Sequence, residues 1–244
     1  LRGRFWLAGS ALAIAYAVIF VWLWPVVVSP LFNRFEPLPD GPVRAEVLRL
    51  ADRTGVEVGE VLEVDASRRS STLNAYVNGI GSTKRVVIYD NALHDLTRPE
   101  LSALIAHELA HVESNDLERG LAFAILVIPL GVLTVQLAAG LLVRRAGDDP
   151  RGPGVIPALA LAIAVVTMVM AVPGNWLSRK VEANADAEAI ALTGPRGLTA
   201  LQLRLAERNL ADPDPPAAWQ FLYGTHPTTI ERVGMAAARE GGGS

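Results

Sequence analysis

The chain has 244 residues, 51% of them hydrophobic and 19% charged, with a formal net charge of −3. A soluble domain carries about 25% charged residues, so part of this chain is suited to an apolar surrounding, and no basic stripe with interleaved aromatics points to nucleic acid. Cysteine is absent, which excludes disulfides and thiolate ligands and leaves His, Asp and Glu to hold any metal.

Residues 5–28 are uncharged and almost wholly apolar, with Trp6, Trp22 and Trp24 near the ends of the run. About 20 residues cross the hydrocarbon core of a bilayer, and tryptophan favours its two interfaces. Residues 1–32 therefore read as a membrane helix and its exit. A signal peptide is the competing reading, but the run is longer than an ordinary signal core and no small-x-small cleavage site precedes Pro25 and Pro30.

Residues 33–120 read as the first part of a water-facing domain. After Gly41-Pro42, a helix is expected from Val43 to Thr54. Short β-branched strands are expected at 61–65 and 85–89, with a third at 74–77 that ends in a turn at 79–82. Thr97-Arg98-Pro99-Glu100 has the spacing of a capping box, and Pro99 falls in the first turn, where its missing N–H is tolerated. The helix it opens should run to about Asn115 and pack through Leu101, Leu104, Ile105, Leu109 and Val112. Inside it lies His107-Glu108-Leu109-Ala110-His111. Helical positions four apart share a face, so the two imidazoles can point at one metal ion, with Glu108 beside the first as general base toward a water.

Residues 121–174 read as a membrane hairpin. Two apolar runs, 121–143 and 155–172, are joined by a polar link at 144–154. Pro129 and Gln136 interrupt the first run. Pro157 lies near the start of the second, and Pro173-Gly174 should end it. Two buried helices of a soluble protein are the alternative; the lack of polar faces argues against it. A hairpin leaves and returns on one side, so residues 175–240 can meet the HExxH helix. In that second part an Ala-rich helix at 178–192 carries Glu182 and Asp186. Further helices are expected at 198–209 and 227–238, separated by the rigid Asp212–Pro216 loop. Residues 241–244 read as a flexible tail.

Two histidines do not complete a tetrahedral site. The other histidines are His94 and His226, and the carboxylates after the hairpin are the best further donors. Glu182 and Asp186 are four apart on one helical face. Glu182 would make a His2Glu site with a fourth position open to water, and Asp186 could accept a ligand imidazole's N–H and set its tautomer. A solvated acidic face is the plainer alternative. His226, in Tyr223-Gly224-Thr225-His226-Pro227, could donate to a developing oxyanion or simply satisfy its own loop. Asn74, Ala75 and Tyr76 could offer an edge strand to an extended peptide, although Asn74 could equally be a turn or sheet residue. His94 has no partner motif and reads as a loop or cap residue.

Taken in order, Ser29–Phe35, Asp65–Ser71, Asn74–Tyr76, Ser82–Val86, His107–His111, Glu182–Asp186 and Thr225–Pro227 resemble the M48 family of membrane zinc metalloproteases, in particular its Ste24-type CAAX prenyl protease group. The resemblance implies a mostly α integral membrane metalloprotease. Its parts are a zincin-like catalytic domain, a small β-sheet and about three transmembrane helices. It implies one zinc per chain on His107, His111 and Glu182, with Glu108 as base and acid and Asp186 supporting the ligands. His226 and Asn74 to Tyr76 would hold the substrate, a protein or peptide at the lipid bilayer. It also implies a bacterial inner membrane location with the site facing the cytoplasm. Three departures stand out. Relatives of this type carry further membrane helices before the point where this chain begins at Leu1. Asp116 stands five after His111, where histidine is frequent, which leaves any accessory role there open. Ala110 stands where glycine is common. The rival functions are a metal-binding membrane chaperone or quality-control scaffold with little turnover, and an assembly protein in which HExxH is accidental.

Overall fold

The computed structural model describes residues 3, 5–79, 84–149 and 152–241. The expected turn at 80–82, the start of the Ser82–Val86 segment, residues 150 and 151 of the polar link, and the tail beyond Gly241 lie outside the described residues. Among the described residues, three helices are long and apolar enough to cross a membrane: α1 (Phe5–Leu23), α6 (Asp116–Ala146) and α7 (Val155–Thr193). Beyond α1 the chain stays helical through a π-helical turn, Trp24–Val28, and a short α2 (Ser29–Phe32).

The apolar helices satisfy their few polar groups internally, as a medium without water requires. Gln136 on α6 accepts from the Trp6 backbone N–H at 2.8 Å and donates to the Gly3 carbonyl at 3.2 Å. The amide that interrupts the apolar run thus covers the open N-terminal end of α1. Gly9 lets the two helices approach closely, since a Cβ there would lie 3.1 Å from Val132 Cγ1.

Among the described residues, a four-stranded mixed sheet forms, with helices packed on it. Strands β1 (Phe35–Pro37), β2 (Glu60–Val64), β3 (Ala75–Asn78) and β4 (Arg85–Tyr89) lie in the order β1-β2-β4-β3. β2 and β4 are parallel, pairing Glu60 with Arg85, while the two outer pairs are antiparallel. β1 was not anticipated from sequence. At three residues, ending in Pro37, it shows no alternation to read. On one face of β4, Val86 and Ile88 join the main core with α3 (Pro42–Thr54) and α5 (Arg98–Glu113); on the other, Val87 packs with Leu62 and Val64. This is the two-fold alternation of a strand buried on both sides.

The capping box opens α5: Glu100 Oε2 accepts from the Thr97 N–H at 2.7 Å. The helix then buries Leu101, Ala103, Leu104, Ile105, Ala106, Leu109 and Ala110 along with His107. It ends at Glu113; two residues on, Asn115 takes the left-handed conformation (φ 54°, ψ 42°), and α6 starts at the next residue. A short α4 (Asp90–Asp95) carries His94 in its last turn, exposed. After the hairpin come α8 (Pro195–Arg208), α9 (Ala217–Tyr223) and α10 (Thr229–Gly241). The seven-residue α9 was not anticipated either.

Helix α7 corrects one expectation. Pro173 and Gly174 do not end it; the helix runs unbroken from Val155 to Thr193. A proline removes a single ladder bond, and opening the backbone near an apolar phase would orphan several. With 39 residues α7 is about 58 Å long, roughly twice the hydrocarbon core of about 30 Å. A single crossing would need only about half of that length, and it is the second half that carries Glu182 and Asp186.

Candidate metal centre

His107 and His111 sit one turn apart on α5, their Nε2 atoms 3.1 Å from each other and their rings perpendicular. Glu182 reaches them from α7. Its Oε2 lies 3.3 Å from His107 Nε2, and its Oε1 lies 3.6 Å from His111 Nε2. Behind each imidazole stands a second carboxylate. Asp186 Oδ1 lies 3.0 Å from His107 Nδ1, and Asp116 Oδ2 lies 2.9 Å from His111 Nδ1.

These contacts test whether a metal fits. With a carboxylate accepting at each Nδ1–H, both histidines turn a lone pair on Nε2 toward the other. Glu182 Oε2 adds a buried oxygen that has no hydrogen-bond partner. Three electron-rich atoms facing one point, without a donor among them, suit a cation. A tetrahedral ion with bonds of about 2.0–2.1 Å would hold its ligand atoms roughly 3.3 Å apart, close to the separations found. Among the described residues, His107, His111 and Glu182 form the group able to hold a metal.

The electrostatics agree. Burial alone would lower the pKa of His107, but the carboxylates of Asp186 and Glu182 beside it override that and hold the imidazolium up to about 9. Burial pushes the Glu108 carboxyl up, opposed by the positive fields of His107 and His111.

The sequence profile of peptidase family M48 matches residues 37–240. The chain belongs to peptidase family M48. It is 30% identical to the uncharacterized metalloprotease YhfN of Bacillus subtilis, over 97% of this chain and 57% of that protein. It is 31% identical to a CAAX prenyl protease 1 homolog of Arabidopsis thaliana, over 89% of this chain and 52% of that one. The crystal structure of S. mikatae Ste24p shares the fold, with a TM-score of 0.81 at 24% identity, covering 95% of this chain and 58% of that chain. The chain thus spans about half the length of the curated relatives it matches.

The other residues expected at the site lie around or away from this cluster. His226 lies beside it, Nε2 3.4 Å from Glu182 Oε1, with its side chain half-exposed and Nδ1 2.9 Å from Thr225 Oγ1. Its loop is held by α9 and α7. Gln220 donates to the His226 carbonyl at 2.7 Å, and Arg179 donates to the carbonyls of Gln220 and Gly224. Asn74 stands just before the edge strand β3. Its described bonds go to Tyr89 and Ala75 rather than to the metal-facing groups. Tyr76 rests edge-on against Tyr89.

Two participants escaped the sequence reading. Arg232 on α10 makes a paired hydrogen bond to Asp186, with Nε 2.6 Å from Oδ2 and Nη2 on Oδ1. Asp186 is fully buried and Arg232 nearly so. A signal was available: Arg232 shares the apolar stripe of its helix with Met235 and Ala236, and a charge on a core-facing stripe calls for a buried partner. Asp116 was noted only as a departure from the family pattern; its contact with His111 is made across the helix break at the left-handed Asn115.

Proposed function

We propose that this chain carries the active centre of a zinc-dependent endopeptidase that hydrolyses peptide bonds of membrane-associated proteins or peptides. One zinc per chain would be held by His107, His111 and Glu182. The observation that carries the reading is the convergence of two backed imidazoles and an otherwise partnerless carboxylate oxygen on one point. When bound, zinc supplies Lewis acidity, polarising the scissile carbonyl and easing deprotonation of water.

The remaining roles fall to side chains. Glu108 adjoins the first ligand, and burial pushes its carboxyl up, which suits it to take a proton from the attacking water and return it to the leaving amine. His226 Nε2 would donate to the carbonyl oxygen as negative charge develops there. Asp186 keeps the His107 imidazole oriented. The edge strand β3, from Ala75, offers backbone groups that can align an extended substrate, with Asn74 at its entry.

Three helices of sufficient length and apolarity support an integral membrane protein. We assign it to a bacterial inner membrane with the site toward the cytoplasm. Its similarity to the CAAX prenyl protease 1 homolog of Arabidopsis thaliana makes a prenylated CAAX peptide the first substrate to try.

The decisive experiment is Glu108→Gln in detergent-solubilised protein, assayed on a quenched peptide and for bound zinc. The turnover should fall about 10²- to 10⁴-fold while zinc stays near one per chain. Undiminished cleavage by that variant would overturn the proposal.

A further inference from the structure

The metal-facing imidazoles belong to α5, but the carboxylates behind them do not. Asp186, behind His107, is on α7; Asp116, behind His111, is the first residue of α6. These are the two helices of the membrane hairpin, and α7 also supplies Glu182. We infer that Asp116 is a positioning residue for His111 and that, through it, the hairpin as a whole sets the geometry of the metal centre. The inference rests on the metal-binding reading above.

The local geometry leaves Asp116 little freedom. Asn115, in the left-handed region, breaks the helix between α5 and α6. The carboxylate of the first residue of α6 lies 2.9 Å from His111 Nδ1 in the last turn of α5. Both side chains are mostly buried, 17% and 22% exposed. The open N–H groups of the first turn of α6 favour negative charge at that spot. An aspartate carboxylate there accepts a hydrogen bond, so it selects the Nδ1–H tautomer and turns the lone pair of His111 Nε2 toward Glu182 and His107. With His111 keyed to α6 and His107 and Glu182 keyed to α7, a shift of one hairpin helix along the other would move one imidazole against the remaining ligands.

The test uses the whole chain in detergent and measures zinc affinity by competition with a chelator. Asp116→Ala should bind zinc about 10- to 100-fold more weakly. Asp116→Asn, whose amide oxygen still accepts from Nδ1–H, should recover most of that loss. Glu118→Ala removes an exposed carboxylate from the same first turn of α6, so it controls for the helix-end charge and should leave affinity unchanged. A second readout, nitrogen-15 NMR of the metal-free protein, should show His111 with its proton on Nδ1 in the wild type and Asp116→Asn. Wild-type affinity in Asp116→Ala, equal weakening by Glu118→Ala, or a wild-type His111 protonated only on Nε2 would each overturn the inference. A wild-type chain that binds no zinc would instead sink the metal reading, and the tautomer measurement would still decide the role of Asp116. The same measurement decides if Asp116→Ala fails to fold.

Discussion

Replacing Arg232 by Met removes the guanidinium from a carboxylate that solvent does not reach. Asp186 is 0% exposed, and Arg232 binds both of its oxygens. Methionine fills similar space but donates nothing, leaving a buried charge supported only by His107 Nδ1 at 3.0 Å. Breaking a buried pair by removing one partner costs about 3–5 kcal/mol. For a chain of this size each kcal/mol lowers Tm by about 2–4 °C, so the variant should melt about 6–20 °C below wild type. Adding Asp186→Asn removes the orphaned charge and should restore part of the loss. The double-mutant cycle, followed by circular dichroism in detergent with zinc content measured beside it, then reads the coupling directly. An Arg232→Met melt within about 2 °C of wild type, equivalent to under 1 kcal/mol, would refute the claim that this pair braces the centre.

Two further expectations concern packing and pH. Gly197 lies where α8 crosses the start of α5, and an added Cβ would stand 2.8 Å from the Pro99 carbonyl oxygen. A backbone carbonyl cannot swing aside, so Gly197→Ala should destabilise the fold by about 1–3 kcal/mol, seen as a lower melting temperature in detergent; an unchanged melt would mean that the helices are free to separate. The pKa of His107 near 9, raised from 6.5, sets two opposing trends. In the metal-free protein the imidazolium contributes stability that is fully present below pH 6.5 and lost as pH rises through about 9. Zinc needs the neutral ring, so its affinity should climb across that same window and level off above it. Chelator competition from acid to alkaline pH checks this, and an affinity that is flat above neutrality would count against it.

How much could be read in advance depended on the range of the interaction. The helix carrying His107 and His111 was legible because its capping box, its apolar spacing and the four-residue step between imidazoles are all local. The membrane runs were legible because some 20 consecutive apolar residues have few other uses. Strand β1 and helix α9 were not, being too short to display a period. Pro173 misled because proline is a breaker by propensity, whereas the continuity of α7 reflects its surroundings: Asn175 and Arg179 just beyond it are tied to the backbone around α9.

The amino-acid order alone determined which donors share a helical face, that no thiolate competes for the metal, and that apolar segments separate the histidines from Glu182. Which carboxylate backs which imidazole was decided only in three dimensions. Arg232 and Asp186 are 46 positions apart, and Arg232 and His107 are 125 apart. Backbone geometry fixes neighbours within a turn or two; partners at such separations are chosen by how α5, α7 and α10 pack, and the break at the left-handed Asn115 is one that no hydrophobic pattern records.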